Sequence, residues 1–244
     1  MKTPLHPISI PSIYKNSAGA PLPLPLRMAL CTPDTLLAIE GLAQAIAKQG
    51  GKLVLSDLYR SYDMQAKSHQ DYIKGRKKAF SPPPGGSLHE AGRAFDLDLS
   101  ALKIPLPQFW ALAATYGIQP IIKTPNPKTS EAWHFDCFGS HALVYTYYKA
   151  GKGTNLKPYA AAAASAILAT GVHVDLFGSN QTQAALQASL IRLGKNIGNI
   201  DGKLGPLCMK ALLELNIAFE PLSMVRMLLS VEALLKEKFP AEYE

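Results

Sequence analysis

Apolar residues at Leu36, Leu37, Ile39, Leu42, Ala43 and Ile46 recur at helical spacing, a stripe that buries one face of an amphipathic helix. Thr32-Pro33-Asp34 supplies the start signal and Gly50-Gly51 the stop. Upstream, residues 1–30 are rich in proline and polar positions and predict an extended arm lying over the surface. Downstream, Lys52–Ser56 predicts a short strand and Ser61–Lys77 a polar helix. Phe80–Gly86, with consecutive prolines and two glycines, can continue neither element, so it predicts a loop delivering Ser87 and His89. Ala94–Leu99 alternates like a half-buried strand, which places Asp96 and Asp98 on one face. A helix over Pro107–Tyr116, a strand over Ile118–Lys123, a Pro/Asn loop over Thr124–Ser130 and a strand over Ala132–Phe138 follow. Strands and helices that alternate without regular βαβ spacing predict an α+β fold: a small antiparallel sheet with flanking helices.

From about Tyr145 to Gly171 the composition shifts to small residues, which predicts a linker, partly helical. Beyond it, Gln181–Leu193 carries Ala185, Leu186, Leu190 and Leu193 along one side, Ile200–Pro206 reads as a tight turn, and Leu207–Leu215 and Pro221–Lys238 are further helices. The expected organisation is a catalytic domain with its arm over 1–150, an alanine-rich linker over 151–172, and a three-helix bundle over 173–244.

Hydrophobic residues make up 48% of the 244 and charged residues 18%, a balance that excludes a disordered chain and suffices for a real core. Tyr159–Val172 is the longest weakly polar stretch and is shorter than the roughly 20 apolar residues of a membrane span, so none is expected. The formal charge is +7, and residues 1–171 hold 18 Lys and Arg against 10 Asp and Glu. Such a surplus suits a polyanionic partner. The Lys74–Lys78 cluster has no interleaved aromatics; it reads as a solvated face, and no nucleic-acid partner is expected. Cys31, Cys137 and Cys208 are too scattered for a disulfide framework or a cysteine zinc knuckle.

Chemistry changes the picture at Ser87-Leu-His89-Glu-Ala-Gly92-Arg-Ala94-Phe-Asp96 and at Glu131-Ala-Trp133-His134. Any one of the six histidines alone is unremarkable, but His89, Asp96 and His134 together are the His/His/carboxylate set of a hydrolytic zinc site, one ion per chain. Such a site leaves its fourth position to a water whose pKa falls to about 7. Glu131 is then the natural proton acceptor. Asp98 and Asp136 offer further carboxylates. Cys137, three residues after His134, reads as a buried free thiol, because His89, Asp96 and His134 already complete a catalytic set.

These residues resemble the zinc D-alanyl-D-alanine carboxypeptidases and dipeptidases typified by VanY and VanX, with related phage endolysins that cut L-alanyl-D-glutamate bonds. The family pattern S-x-H-x-x-G-x-A-x-D followed by E-x-W-H is met at Ser87, His89, Gly92, Ala94, Asp96, Glu131, Trp133 and His134. An upstream family element is matched by Tyr59, Arg60, Ser61 and Gln65, although Leu58 stands where the family has a glycine. The resemblance implies zinc on His89, Asp96 and His134, Glu131 as general base, and Arg60 as the cation at the scissile carbonyl. It implies substrate contacts for Ser87, Tyr59, Gln65 and Trp133, the last as a pocket wall.

The C-terminal part, from Ala185-Leu186-Gln187 through Ile200-Asp201-Gly202-Lys203-Leu204-Gly205-Pro206, resembles peptidoglycan-binding three-helix domains. Together the two resemblances imply hydrolysis of peptidoglycan stem peptides, foremost at a D-Ala-D-Ala terminus, with an L-Ala-D-Glu endopeptidase and a non-catalytic zinc-containing wall-binding protein as alternatives. The N-terminus carries no charged region followed by an unbroken apolar run. The expectation is therefore action at the wall or periplasm as a mature form, or cytoplasmic retention until lysis.

Overall fold

The computed structural model describes residues 2–244. They divide into two compact units. One, the sheet unit, is Pro4–Pro83 with Leu88–Gly139; the other, the helical unit, is Pro84–Ser87 with Ser140–Glu244 and the N-terminal residues through Thr3.

The sheet unit opens on four strands, β1 (His6–Pro7), β2 (Pro11–Lys15), β3 (Pro21–Pro23) and β4 (Leu30–Cys31), where the composition predicts an extended arm. Proline lacks an N–H for the ladder and survives at strand ends and edges; β3, which holds two prolines, is an edge strand. Then come α1 (Pro33–Ala47), β5 (Leu55–Asp57), α2 (Tyr62–Ile73), β6 (Ala94–Leu97), α3 (Leu106–Ala114), β7 (Ile118–Pro120) and β8 (His134–Cys137). Six strands form one sheet in the order β3-β2-β5-β6-β8-β7, antiparallel except for the β2/β5 pair, and β1 pairs with β4 separately. The fold is α+β, as the alternation of elements predicts.

α1 buries Ala38, Ile39, Leu42 and Ile46 against this sheet's core, while Leu37 faces solvent. Phe95, Phe109 and Phe135 are fully buried, with ring centroids 6.2 Å apart for Phe95/Phe135 and 5.0 Å for Phe109/Phe135. Each such side chain contributes about 1.5–3 kcal/mol through burial.

The helical unit holds α4 (Ala142–Lys149), α5 (Pro158–Thr170), α6 (Gln181–Arg192), α7 (Pro206–Glu214) and α8 (Met224–Lys238). The alanine-rich stretch that composition assigns to a linker is thus helix α5, with eight of its residues buried and with α4 and α6 packed against it. Alanine is the best helix former, and its small side chain lets neighbouring helices approach closely. The three helices predicted beyond residue 173 are present, joined by α4 and α5. Gln187 on α6 pins the following turn: its Oε1 accepts from Asp201 N (3.0 Å) and Gly202 N (2.7 Å), and its Nε2 donates to Lys203 O (2.9 Å). Among the described residues no helix is long and apolar enough to cross a membrane.

Candidate metal centre

β6 and β8 pair with Asp96 opposite His134, and side chains directly opposed across an antiparallel ladder lie on the same face. His89 arrives from the 3-10 turn Leu88–Ala91 immediately before β6. Gly92 makes that approach possible: its φ is +62°, and a Cβ there would lie 2.8 Å from Cys31 Cα. One donor atom each from His89, Asp96 and His134 falls within a group no more than 4.8 Å across.

The tautomer of His89 follows from its surroundings. Nδ1 is 2.6 Å from the Leu58 carbonyl, which can only accept, so Nδ1 carries the hydrogen and Nε2 presents a lone pair. That Nε2 is buried and lacks a hydrogen-bond partner, with Asp96 Oδ1 at 3.5 Å. A buried polar atom of this kind costs free energy unless something completes it, and a divalent cation among these three donors does so. The donor set fits zinc.

His134 is held from both sides, by Asp96 Oδ1 at 2.9 Å from Nδ1 and by Asp136 Oδ1 at 3.0 Å from Nε2. Asp136 lies two residues along β8 and is fully buried, the carboxylate–histidine arrangement that fixes a ligand ring. Burial opposes charge on His134, but the Asp136 and Asp96 carboxylates outweigh it and push its pKa up to about 10. Burial would likewise raise Asp96; attraction to His89 and hydrogen bonds from the two imidazoles hold it well below the usual carboxylate range. The cluster is an anionic pocket that retains a proton where a cation would sit.

Glu131 occupies the left-handed region at φ +68°, a conformation that costs a non-glycine residue about 1–2 kcal/mol. Its backbone carbonyl accepts from His134 N at 3.0 Å, so the strain sits in the turn that leads into the ligand. Oε1 is buried without a hydrogen-bond partner. Burial raises this carboxyl above its ordinary value and Asp96 adds to the shift, while His134, Lys77 and Arg60 oppose it.

Arg60 is buried and fanned over three acceptors: Nε to Asp57 Oδ2 (2.6 Å), Nη1 to Gln65 Oε1 (3.2 Å) and Nη2 to Asp96 Oδ2 (3.4 Å). Its backbone N donates to His89 O at 3.1 Å. Gln65, fully buried, also donates to Ser81 Oγ (3.1 Å) and Pro82 O (2.6 Å); its side chain is committed to holding Arg60 and the proline loop. Leu58, in place of the family's glycine, turns its carbonyl to His89 and its side chain into the core. Tyr59 is half-buried, its N bonded to Met28 O (2.9 Å). Trp133 walls an open groove with Ile13, Ser56 and Leu97. Ser87 is buried and belongs to the helical unit.

One expectation changes: β6 ends at Leu97, and Asp98 caps the next turn, accepting from Ser100 N at 3.0 Å. Cys137 is, as expected, a buried free thiol packed in the core. Asp57, the shortest partner of Arg60, shows no motif of its own in the sequence; only its spacing, three residues ahead of the arginine, hints at a contact.

The family model of VanY, D-alanyl-D-alanine carboxypeptidase, matches residues 29–116. The VanY match covers α1 through α3, with Arg60, Gln65, His89 and Asp96, and stops ahead of Glu131 and His134. Among solved structures, the chain is similar to the LdcB LD-carboxypeptidase, with 20% identity over 54% of this chain and 66% of that one and a TM-score of 0.41. It is similar to DacB from Streptococcus pneumoniae D39, with 28% identity over 43% and 65% and a TM-score of 0.35. A third likeness is a Zn(II) complex of the vancomycin-resistance D,D-pentapeptidase VanY, with 14% identity over 50% and 76% and a TM-score of 0.33. The chain spans just under two thirds of the first two. No curated protein gives a match.

Proposed function

We propose that the protein is a zinc-dependent carboxypeptidase acting on peptidoglycan stem peptides, removing the last residue of a D-alanyl-D-alanine terminus at the cell wall. The observation that carries this reading is the convergence of His89, Asp96 and His134 within 4.8 Å beside a Glu131 carboxyl oxygen that has no partner. The match of residues 29–116 to the VanY family model supports it.

A zinc ion held by these three side chains supplies Lewis acidity and a water acidified to about neutral. Glu131 accepts a proton from the attacking water and returns it to the leaving amine, a task suited to a carboxyl lifted above its ordinary range. Arg60, already immobilised by Asp57 and Gln65, offers its Nη2 edge to the oxygen that gains charge.

The helical unit is proposed to hold the protein on the wall; the Gln187 bonds that order the Asp201-Gly202 turn support a built surface there. Mass spectrometry of defined muropeptides after incubation with the zinc-loaded chain tests the catalytic reading. Loss of a single alanine is expected. Cleavage after the first stem residue would replace it with the endopeptidase, and unchanged peptides together with retained wall binding would replace it with a non-catalytic wall protein.

A further inference from the structure

An open groove of about 700 Å³ begins at Arg60 and runs along α2 and the turn that follows it. Five cations line it, Arg27, Arg60, Lys67, Arg76 and Lys77, against two carboxylates, Asp57 and Asp71. Both carboxylates are already engaged: Asp57 with Arg60 at 2.6 Å, Asp71 with Lys67 at 2.8 Å and Arg76 at 3.4 Å. Among the described residues, Arg27 and Lys77 form no close ion pair, although the Asp96, Glu131 and Asp57 carboxylates act on Lys77 from further off. Lys77 Nζ meets only a neutral oxygen, Ser68 Oγ at 3.0 Å, and the residue is half-buried rather than fully solvated. The charges of Arg60, Asp96 and Glu131 all act on it, which puts it on the doorstep of the metal centre. The sequence alone makes the 74–78 cluster a solvated face; in the fold, two of its cations line the approach to Arg60.

A half-buried ammonium with no close ion pair gains from an anion brought within reach. A peptide whose scissile carbonyl sits at Arg60 lays its preceding residues along a neighbouring surface, at about 3.3–3.6 Å per residue. We propose that Lys77 and Arg27 form a subsite for a carboxylate of the substrate peptide outside the scissile bond, so that side-chain charge, and not the terminal residue alone, selects the substrate. The chemistry favours the free carboxylate of a stem-peptide glutamate. This inference rests on the peptide-hydrolase reading above.

The test uses the zinc-loaded full chain and two synthetic stem pentapeptides that differ only in a glutamate carboxylate or its carboxamide. Loss of one charge-assisted contact predicts about a tenfold higher kcat/KM for the carboxylate peptide, expressed mainly in KM. Lys77→Met keeps the aliphatic stem and removes the charge; with Arg27→Gln it is expected to erase the preference, whereas Lys77→Arg retains it. Equal turnover of the two peptides by the wild type, or an undiminished preference in the Lys77→Met/Arg27→Gln protein, overturns the subsite while leaving the hydrolase reading intact. Turnover of neither peptide overturns the hydrolase reading, and the subsite falls with it.

Discussion

Asp136→Ala tests how the site is built. Asp136 is not one of the three expected zinc ligands, but its Oδ1 lies 3.0 Å from His134 Nε2 and the residue is fully buried. Removing it frees the imidazole to rotate and lowers its basicity; losing a partner of this kind costs about 10–100-fold in metal affinity, or about 1.4–2.8 kcal/mol at 1.4 kcal/mol per decade. The same carboxylate has a second effect of opposite sign. With Asp96 it lifts His134 to about 10, so at pH 7.5 the wild-type site must release a proton, a competition worth roughly 2.5 decades. Asp136→Ala relieves part of that competition. Zinc titration against a competing chelator between pH 6.5 and 9 therefore gives a wild-type apparent affinity rising about tenfold per pH unit and a flatter line for Asp136→Ala. The gap between them should widen toward pH 9, where the proton competes least. Asp136→Asn, which keeps an acceptor and loses the charge, should fall between. Parallel lines for wild type and Asp136→Ala, or equal affinities at pH 9, would refute the assignment of Asp136 as the group that holds His134.

In the metal-free protein, His134 has a folded pKa near 10 against about 6.5 unfolded, so the folded state binds the extra proton. Its stabilisation is complete below about 6.5 and declines as pH rises; urea unfolding with chelator present should give lower stability at pH 8.5 than at 6.5, and a rise would contradict this. That window lies below the titration of the buried Cys31 and Cys137 thiols, raised to about 12 and about 11. Glu131→Gly relieves the φ of +68° and should raise unfolding free energy by about 0.5–1 kcal/mol while hydrolysis disappears; a destabilised variant would show that the turn is not strained. Gln187→Ala strands the Asp201 and Gly202 N–H groups and should destabilise the helical unit by about 2–3 kcal/mol, read as faster amide exchange in that turn than in the sheet unit.

The convergence of His89, Asp96 and His134 was legible because the motif residues cluster along the chain: His89, Gly92 and Asp96 in one turn and strand, Glu131 and His134 in another stretch. The helical stripe of α1 was legible for a similar reason, since its period is local. What the pattern hid was non-local. The proline-rich arm gains strands only by pairing with partners up to 43 residues away, as Ser12 does with Leu55. Alternation carries Asp98 onto the face of Asp96, but the strand ends one residue earlier and its carboxylate is spent on a cap. Small residues over 158–170 look like a flexible connection until neighbouring helices bury them. Asp57 and Lys77 acquire meaning only through Arg60, which the fold places between them and the ligands.

X-ray absorption at the zinc edge, on full-length protein loaded with one equivalent, addresses the central claim most directly. The account predicts two imidazole nitrogens at about 2.0–2.1 Å, oxygen from Asp96 and from solvent at about 2.0–2.2 Å, and no sulfur. A sulfur shell at about 2.3 Å, or four protein ligands with no solvent oxygen, would contradict it.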